Sequence, residues 1–354
     1  MNALTLDGPA FARALRGGAL AVMREQELLN RINVFPVRDA DTGANLAATL
    51  KAAASRLGAA SAVGVGEAAR VAADGALEGA RGNSGAIFAQ FLHGLAGGMA
   101  PHDQVDGVQF AAAAGLGTDS AYSALQEPRE GTILSVLRAW SRELTRRSHD
   151  DEFVEMMHGG LVAARAALAE TEHQLKVLAL NHVVDAGGQG FVYFLEGLLE
   201  SLRGRSPQWA PAEASPHGVP PFSPVHEEID ERYRFCSEVL LAPDDGGALS
   251  REAVMAAVDG LGDSLVVAGG ERRLRVHIHT NEPQKFLATV AALGVVEHSK
   301  IDDMVLQQLA GREAAIGLVT DSTTDLPEDI AFRLGVVAVP LTLTLGDDLS
   351  LIHI

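Results

Sequence analysis

The sequence predicts a multidomain protein with an all-α first domain, an α+β middle domain and the start of an α/β segment. Its 354 residues favour more than one domain, since a domain holds roughly 100–200 residues. Apolar residues recur at helical spacing before residue 204, and strand-like alternation begins after a stretch rich in proline and glycine. The expected domains are therefore 1–203, 225–312 and 313–348, with 204–224 as a linker.

The composition excludes several classes of function. A hydrophobic fraction of 47% can form sizeable cores. The 28 basic residues against 46 acidic ones give a net charge of −18, which disfavours binding to nucleic acid polymers or anionic membranes. We expect no membrane span, because no apolar run reaches about 20 residues. The single cysteine, Cys236, and the lack of a signal-peptide pattern predict a cytoplasmic location.

The sharpest motif lies between two predicted helices, FARALRGGALAVMREQELLNRI and ANLAATLKAAASRLGAA. Pro36 and an Asp-Thr-Gly turn place Asp39 and Asp41 together in the connecting loop. Two such carboxylates can converge on Mg²⁺. The alternative is that Asp41 or Thr42 only caps the helix that begins near Ala44, with Asp39 in solvent.

Three more helix starts carry glycine: the GARGNSG turn at 79–85, Gly131 before Thr132, and the DAGGQG run at 185–190. Backbone N–H groups and the positive end of the helix dipole make such a start suitable for phosphate. Each one alone is equally explained by capping or packing. Together with the paired aspartates, they predict a polyphosphate site surrounded by helix N-termini and bridged by metal. No Gly-Lys-Ser/Thr or G-x-G-x-x-G motif is present, and only four lysines occur in the chain.

The motifs NVFPVRDADTGANL, GARGNSGAIFAQ, EGTIL and VVDAGGQG resemble the dihydroxyacetone-kinase L (DhaL) domain, in the form found in the bacterial fatty acid kinase A proteins. The resemblance covers about 1–204 and implies an antiparallel barrel of helices that binds ATP at one end. It also implies that Asp39 and Asp41 are the catalytic Mg²⁺ ligands. Arg38 and Ala40 depart from the family, which has proline and glycine there. The implied nucleotide-binding residues are Asn33, Thr42, Asn45, Gly82, Asn83, Ser84, Gly85, Thr132, Asp185, Gly187 and Gly188.

The middle domain shows the element order βαββαβ. RYRFCSEVLLA alternates like a strand, Ser250 caps a predicted helix, and DSLVVAGGERRLRVHIHT predicts two strands around a Gly-Gly turn. Pro283 opens a second helix, and VVEHSKI predicts the last strand. This order predicts an open α+β sandwich of the ferredoxin-like type.

Cys236, His277 and His279 form a candidate zinc set. Alternation places both histidines on one face of their strand, and Cys236 lies on another strand of the same sheet. One thiolate and two imidazoles suit zinc with a fourth position open. From the residues alone, an ordinary buried cysteine beside two polar strand residues is the alternative. The region also resembles the middle domain of fatty acid kinase A, which implies metal binding at these positions.

The last segment, VTDSTTDLP and VVAVPLTL, resembles the opening of the DegV family of fatty-acid-binding proteins. We expect a buried strand, a polar turn, a short helix and a second strand. The alternative to the DegV resemblance is that Asp321 and Ser322 are only turn and cap residues. Residues 349–354 depart from that family and match a translated sequencing adapter, so we expect a non-native tail on a truncated chain. A genuine short strand is the alternative.

These features predict an ATP- and Mg²⁺-dependent kinase that converts a carrier-bound fatty acid carboxylate to an acyl-phosphate. The expected partner is a DegV-type fatty-acid-binding domain, fused or separate, and a homodimer stays open. Two alternatives remain at this point. One is a kinase of glycerone or another small polyol, and the other is a non-catalytic lipid-sensing or interaction protein.

Overall fold

The computed structural model describes residues 5–36, 40–59, 64–205, 233–244 and 247–305, and four short strands between 318 and 351. Several predicted features lie outside the described residues. They are Asp39, the linker beyond residue 205, and the polar turn and short helix that follow Asp321.

The first described part of the chain is helical, with a small ribbon of two strands. Its helices are α1 Gly8–Arg24, α2 Gln26–Arg31, α3 Thr42–Ala59, α4 Val65–Gly79, α5 Gly82–Met99, α6 Gly107–Ser123, α7 Ile133–Arg147, α8 Phe153–Gln174, α9 Lys176–Asn181 and α10 Ala186–Leu202. The ribbon pairs β1 Thr5–Asp7 with β2 Gln104–Asp106 in antiparallel register. None of the helices in the described ranges is long and apolar enough to cross a membrane.

The ribbon corrects the strictly all-α expectation for this domain. Leu6 and Val105 pair across it, and both side chains are buried in the helical core. The strand ends then begin helices, because Asp7 accepts a hydrogen bond from the Ala10 N–H and Asp106 forms a capping box with Gln109. Two strands of three residues are too short to show alternation in the sequence.

Aromatic side chains from three helices fill the centre of the helical domain. Phe88 and Phe91 of α5 pack edge-to-face on Phe191 of α10, and Trp140 of α7 contacts Phe91 and Phe191. Phe88, Phe91 and Phe191 are fully buried. Helix α5 is therefore held in the core, and its N-terminus is fixed in position.

Helices α1 and α10 approach each other closely through glycine. A Cβ atom built on Gly197 would lie 2.3 Å from the carbonyl oxygen of Gly17. No larger residue fits at this contact without moving a backbone. Helix α10 also contacts α2 and α3.

The middle domain follows the predicted order. Its elements are β3 Phe235–Ala242, α11 Arg251–Val258, β4 Gly262–Gly270, β5 Arg273–Thr280, α12 Pro283–Ala291 and β6 Val295–Asp303. The sheet is antiparallel throughout, with strand order β4-β5-β3-β6. Ser250 caps α11 and Pro283 opens α12, as the sequence predicts. The turn between β4 and β5 falls on Glu271 and Arg272 rather than on Gly-Gly, because both glycines are part of β4.

The two faces of the middle sheet pack against different partners. Val239, Val276 and Ile278 point to the core formed with α11 and α12. Leu240 and Val266 alternate to the opposite face and belong to the core of the helical domain. The sheet therefore docks directly on the helices, and its polar residues on this face become part of the contact between the domains.

The remaining described strands form two pairs. β7 Leu318–Asp321 is parallel to β8 Val336–Val339, and β9 Thr342–Leu345 is antiparallel to β10 Asp348–Leu351. Leu318 and Val319 are 42% and 70% exposed, so the expectation of a buried strand is wrong for these residues. A two-stranded sheet leaves a face open unless another layer covers it. β10 places the first residues of the expected tail in a short strand.

Candidate active site

Two adjoining cavities lie where helix N-termini of the helical domain meet the middle sheet. The smaller one has a volume of about 30 Å³, which is room for one water molecule or ion. The larger one has a volume of about 390 Å³. They share Phe35, Pro36, Asn83 and Ser84. The smaller cavity is further lined by Asn33, Asp41, Thr42, Asn45, Gly82, Cys236, His277 and His279.

Asp41 stands at the start of α3. Its carbonyl oxygen accepts the N–H of Asn45, and the N–H of Ala44 is bound by Asn30 Oδ1 at 3.0 Å. Ala40 precedes it with a φ of 55°, the left-handed conformation that favours glycine. This backbone turn directs the half-buried Asp41 into the smaller cavity. Helix α3 begins at Thr42, two residues earlier than predicted.

The GARGNSG motif forms the N-terminus of α5 beside Asn45. Gly82 has a φ of 57°, and a Cβ atom there would lie 2.3 Å from Asn45 Nδ2. Asn83 Oδ1 is buried and has no hydrogen-bond partner among the described residues. A buried polar atom of this kind is suited to a ligand. Gly85 does not line either cavity; it lets α5 approach Thr49 of α3.

Thr132 and Asp185 lie at the larger cavity. The Thr132 hydroxyl caps α7 and accepts the N–H of Leu134 at 3.4 Å. Asp185 caps α10, where its Oδ2 accepts the N–H of Gly188 at 2.7 Å. Burial raises the pKa of Asp185 to about 6, although backbone N–H groups that include that of Ile133 oppose the rise. Gly187 lines the cavity, whereas Gly188 packs behind it on Val136 and Leu168.

Cys236, His277 and His279 come together on the face of the sheet that docks on the helices. Cys236 is the register partner of His279, and each of the three residues offers a ligand atom within 4.8 Å of the others. Both histidines are buried. His277 Nε2 is buried with no hydrogen-bond partner among the described residues, as a metal ligand would be in the absence of its ion. The donor set and this orphaned nitrogen fit zinc.

Sequence reasoning missed Glu238, the buried carboxylate beside this cluster. It is 4% exposed, and its Oε1 lies 3.0 Å from His277 Nδ1 and accepts the N–H of Gly82 at 2.5 Å. Burial opposes its ionisation, but His277 and the Gly82 N–H lower the pKa of Glu238 to about 2. Its position two residues after Cys236, on the same strand face, is the signal that could have identified it.

The charges of the cluster are set by burial and by Glu238. Burial raises the pKa of the Cys236 thiol. Burial would lower the pKa of His277, but Cys236 and Glu238 raise it to about 10. Of these two neighbours, Glu238 is the one whose pKa is lowered, so its carboxylate is an anion beside the His277 imidazole. Loading zinc would release protons from both the thiol and the imidazolium.

The middle domain also supplies one wall of the larger cavity, from the segment that leads into β4. Asp259 accepts a hydrogen bond from Gln126 Nε2 at 2.7 Å, which ties this segment to the helical domain. Asp263 and Ser264 line the cavity, and Ser264 has a φ of 55°. No local pattern in the sequence indicates that this segment faces a cavity, because the contact depends on how the two domains dock.

Two family models match separate parts of the chain. The family model "DAK2 domain" matches residues 36–200, and the model for the middle domain of fatty acid kinase A-like proteins matches residues 232–310. The helical part of the chain is thus a DAK2 domain. The chain carries that domain together with a fatty acid kinase A-like middle domain, which confirms the resemblance seen in the sequence for both parts.

Relatives extend across most of the chain. Protein YloV of Bacillus subtilis is 31% identical over 318 residues, covering 86% of this chain and 56% of that protein. An uncharacterized protein of Staphylococcus haemolyticus is 29% identical over 310 residues, which cover 84% of this chain and 55% of that protein. The chain therefore spans about half the length of these relatives. The dihydroxyacetone kinase from C. freundii, solved with AMP-PNP and Mg²⁺, shows a partial structural likeness, with a TM-score of 0.43 and 17% sequence identity. The likeness covers 54% of this chain and 33% of that chain.

Proposed function

We propose that this chain is an ATP- and Mg²⁺-dependent kinase that phosphorylates a fatty acid carboxylate to an acyl-phosphate. One observation carries the proposal: motifs far apart in the sequence, at the starts of α3, α5, α7 and α10, converge on two cavities that share four residues. Helix N-termini that meet in this way favour a polyphosphate. The matches to the DAK2 domain and to the fatty acid kinase A-like middle domain support the same class of activity.

The two cavities suggest how the nucleotide binds. Its phosphates would lie against the N–H groups of Asn83 and Ser84, in the part of the larger cavity that adjoins the smaller one, and the smaller cavity has room for one ion. Its base would occupy the larger cavity, where Ile87, Leu125 and Leu134 offer apolar walls. This arrangement puts the phosphates beside the middle domain and not in open solvent.

Magnesium would be held by Asp41, together with Asp39 outside the described residues, and would neutralise charge on the phosphates. Asp41 points into the smaller cavity, and few lysines are available in the chain for that task. The acceptor needs no general base, because a fatty acid carboxylate is already ionised at pH 7. The chain would align the two substrates and stabilise the negative charge on the transferred phosphoryl group.

Zinc is proposed at Cys236, His277 and His279. The support is the three converging donors, the orphaned His277 Nε2 and the carboxylate of Glu238 behind the imidazole. Zinc would supply a fixed positive charge next to the smaller cavity.

The acceptor class and partner rest on the middle domain and on the sequence at 313–348. The proposed partner is a DegV-type domain, either continuous with this chain or separate, that presents the fatty acid carboxylate. We also propose that the middle domain is a ferredoxin-like sandwich, which its strand order supports. Assembly as a homodimer stays an expectation.

The proposal is tested with radiolabelled ATP, oleate and a purified DegV-type binding protein. The wild-type chain should transfer the γ-phosphoryl group to oleate, and Asp41→Asn should reduce the rate at least about 100-fold, because Mg²⁺ coordination is weakened. Asp150→Asn is the matched control. This residue is exposed and lies outside both cavities, so the variant should retain the wild-type rate.

The same assay separates the alternatives. Transfer to dihydroxyacetone without oleate would assign a small-molecule kinase. Nucleotide binding with no transfer to either acceptor would assign a non-catalytic role. Either result would overturn the fatty acid proposal.

A further inference from the structure

Glu238 is a charged side chain buried between two domains. It lies on β3 of the middle domain, two residues after Cys236, and is 4% exposed. A buried carboxylate is costly unless its hydrogen bonds are satisfied. Its partners come from both domains, so its position depends on both.

On one side, Glu238 caps the helix that begins within the GARGNSG turn. Arg81 occupies the N-cap position of α5 and makes no side-chain capping bond. Glu238 Oε1 instead accepts the N–H of Gly82 at 2.5 Å. A negative charge at a helix N-terminus is favourable, so the carboxylate holds this first turn in place.

On the other side, Glu238 orients His277. The same Oε1 atom lies 3.0 Å from His277 Nδ1, so Nδ1–H donates to the carboxylate. The same nitrogen lies 3.7 Å from Cys236 Sγ, so Glu238 holds the edge of the imidazole that faces the thiol. A carboxylate behind a histidine fixes its ring in this way in metal sites.

One oxygen atom therefore joins the metal-ligand cluster to the first N–H of α5. Cys236, His277 and His279 also line the same small cavity as Gly82 and Ser84. If the His277 imidazole shifts, the Glu238 carboxylate must shift with it to keep their hydrogen bond. The carboxylate can do so only if the turn at Gly82, to which it is also bonded, moves as well. Gly82 has little room to follow freely because it lies against Asn45.

We propose that Glu238 is a positioning residue that couples the two halves of the site, so that a divalent ion at Cys236, His277 and His279 and a nucleotide at the α5 turn strengthen each other's binding. This inference rests on the proposed function only in taking the turn at 82–84 as the phosphate-binding element. Coupling of this kind is reciprocal, so either ligand can be used to measure it.

The test is the affinity for Mg·ADP, measured by titration calorimetry on the whole chain with and without zinc. Zinc is removed with a chelator, and Mg²⁺ is then restored in both samples. In the wild type, zinc should raise ADP affinity by about tenfold, a common size for coupling between sites. In Glu238→Ala, the ratio of the ADP affinity with zinc to the ADP affinity without zinc should fall to about one. Glu238→Gln keeps an oxygen in the same place, so it should retain part of the ratio and still fold if the alanine variant does not.

Glu78→Gln is the matched control, because Glu78 also connects the domains, through its ion pair with Arg273, and lies outside both cavities. It should keep the wild-type ratio. If zinc leaves the wild-type ADP affinity unchanged, or if both Glu238 variants keep the full ratio, the coupling is refuted while nucleotide binding stands. If the wild type binds no ADP in either sample, the proposed function fails as well.

Discussion

Ala40 adopts the left-handed backbone conformation, with a φ of 55°, directly before Asp41. This conformation costs an alanine roughly 1–2 kcal/mol, and glycine adopts it freely. The DhaL resemblance places glycine at this position. The chain therefore keeps the turn that directs Asp41 into the cavity, but with a residue less suited to it.

Ala40→Gly should raise the free energy of unfolding by about 0.5–1 kcal/mol, because relief of the unfavourable φ exceeds the extra entropy of glycine in the unfolded chain. Urea titration measures it. The matched control is Ala112→Gly, at an exposed position inside α6, which should lower the free energy by about 1 kcal/mol. Destabilisation by Ala40→Gly would contradict the assigned backbone conformation.

Asp185 should make the free energy of unfolding depend on pH. Folding raises its pKa from 3.8 to about 6, so the folded state binds the proton more tightly. The stabilisation is complete below pH 4 and is lost as pH rises through 6. The loss amounts to about 3 kcal/mol. Asp185→Asn cannot ionise, so wild-type stability relative to this variant should fall between pH 4 and pH 6.5 in urea titrations. A constant difference across that range would be the contrary result.

Local signals explain which residues could be predicted. Ser250 and Pro283 act on neighbouring backbone, so their roles as helix starts are visible in the sequence. Cys236, His277 and His279 share a face because strand alternation is local. Glu238 could not be assigned a role in the same way. The role of its carboxylate depends on the hydrogen bond from Gly82, which is distant in the sequence.

At the scale of elements, α1 and α10 are the pair most sensitive to side-chain size. Gly197→Ala places a Cβ atom 2.3 Å from the Gly17 carbonyl oxygen, so the helices must separate. The free energy of unfolding should fall by about 1–3 kcal/mol. Gly97→Ala in α5 meets nothing within 4 Å and should instead stabilise by about 0.5–1 kcal/mol. Thermal unfolding of both variants measures the contrast, and equal effects would argue against close packing of α1 on α10.

The order of elements was predictable because helical spacing and strand alternation are short-range patterns. The β1–β2 ribbon was not, since three residues are too few to show alternation. The exposure of Leu318 and Val319 was not predictable either, because an apolar run indicates burial only when another layer packs on the strand. The resemblance to DegV proteins in this segment remains a prediction.

In the whole molecule, strands β3, β4 and β5 of the middle sheet are covered on both faces, and docking on the helical domain completes the cavities. Arg275 is buried at this contact and donates to the carbonyl oxygens of Leu77 and Glu78 at the end of α4. Helix ends present carbonyl groups that an arginine can satisfy. The docking therefore has a polar component next to the apolar contact of Leu240 and Val266.

Arg275→Ala should loosen this docking, because the carbonyl oxygens at the end of α4 lose their buried partner. Hydrogen exchange followed by mass spectrometry should then show faster exchange in β5 and in the last turn of α4, by about tenfold or more. Arg272→Ala, at an exposed residue of the β4–β5 turn, should leave exchange at the wild-type rate. Equal protection in both variants would show that the docking does not depend on Arg275.

We propose that residues of both domains form one nucleotide site. Hydrogen exchange of the whole chain, measured with and without Mg·AMP-PNP, is the test of that proposal. The nucleotide should slow exchange at the starts of α3 and α5 and, in the same experiment, at residues 259–265 of the middle domain. Slowed exchange confined to the helical domain, or no change at the start of α5, would contradict it.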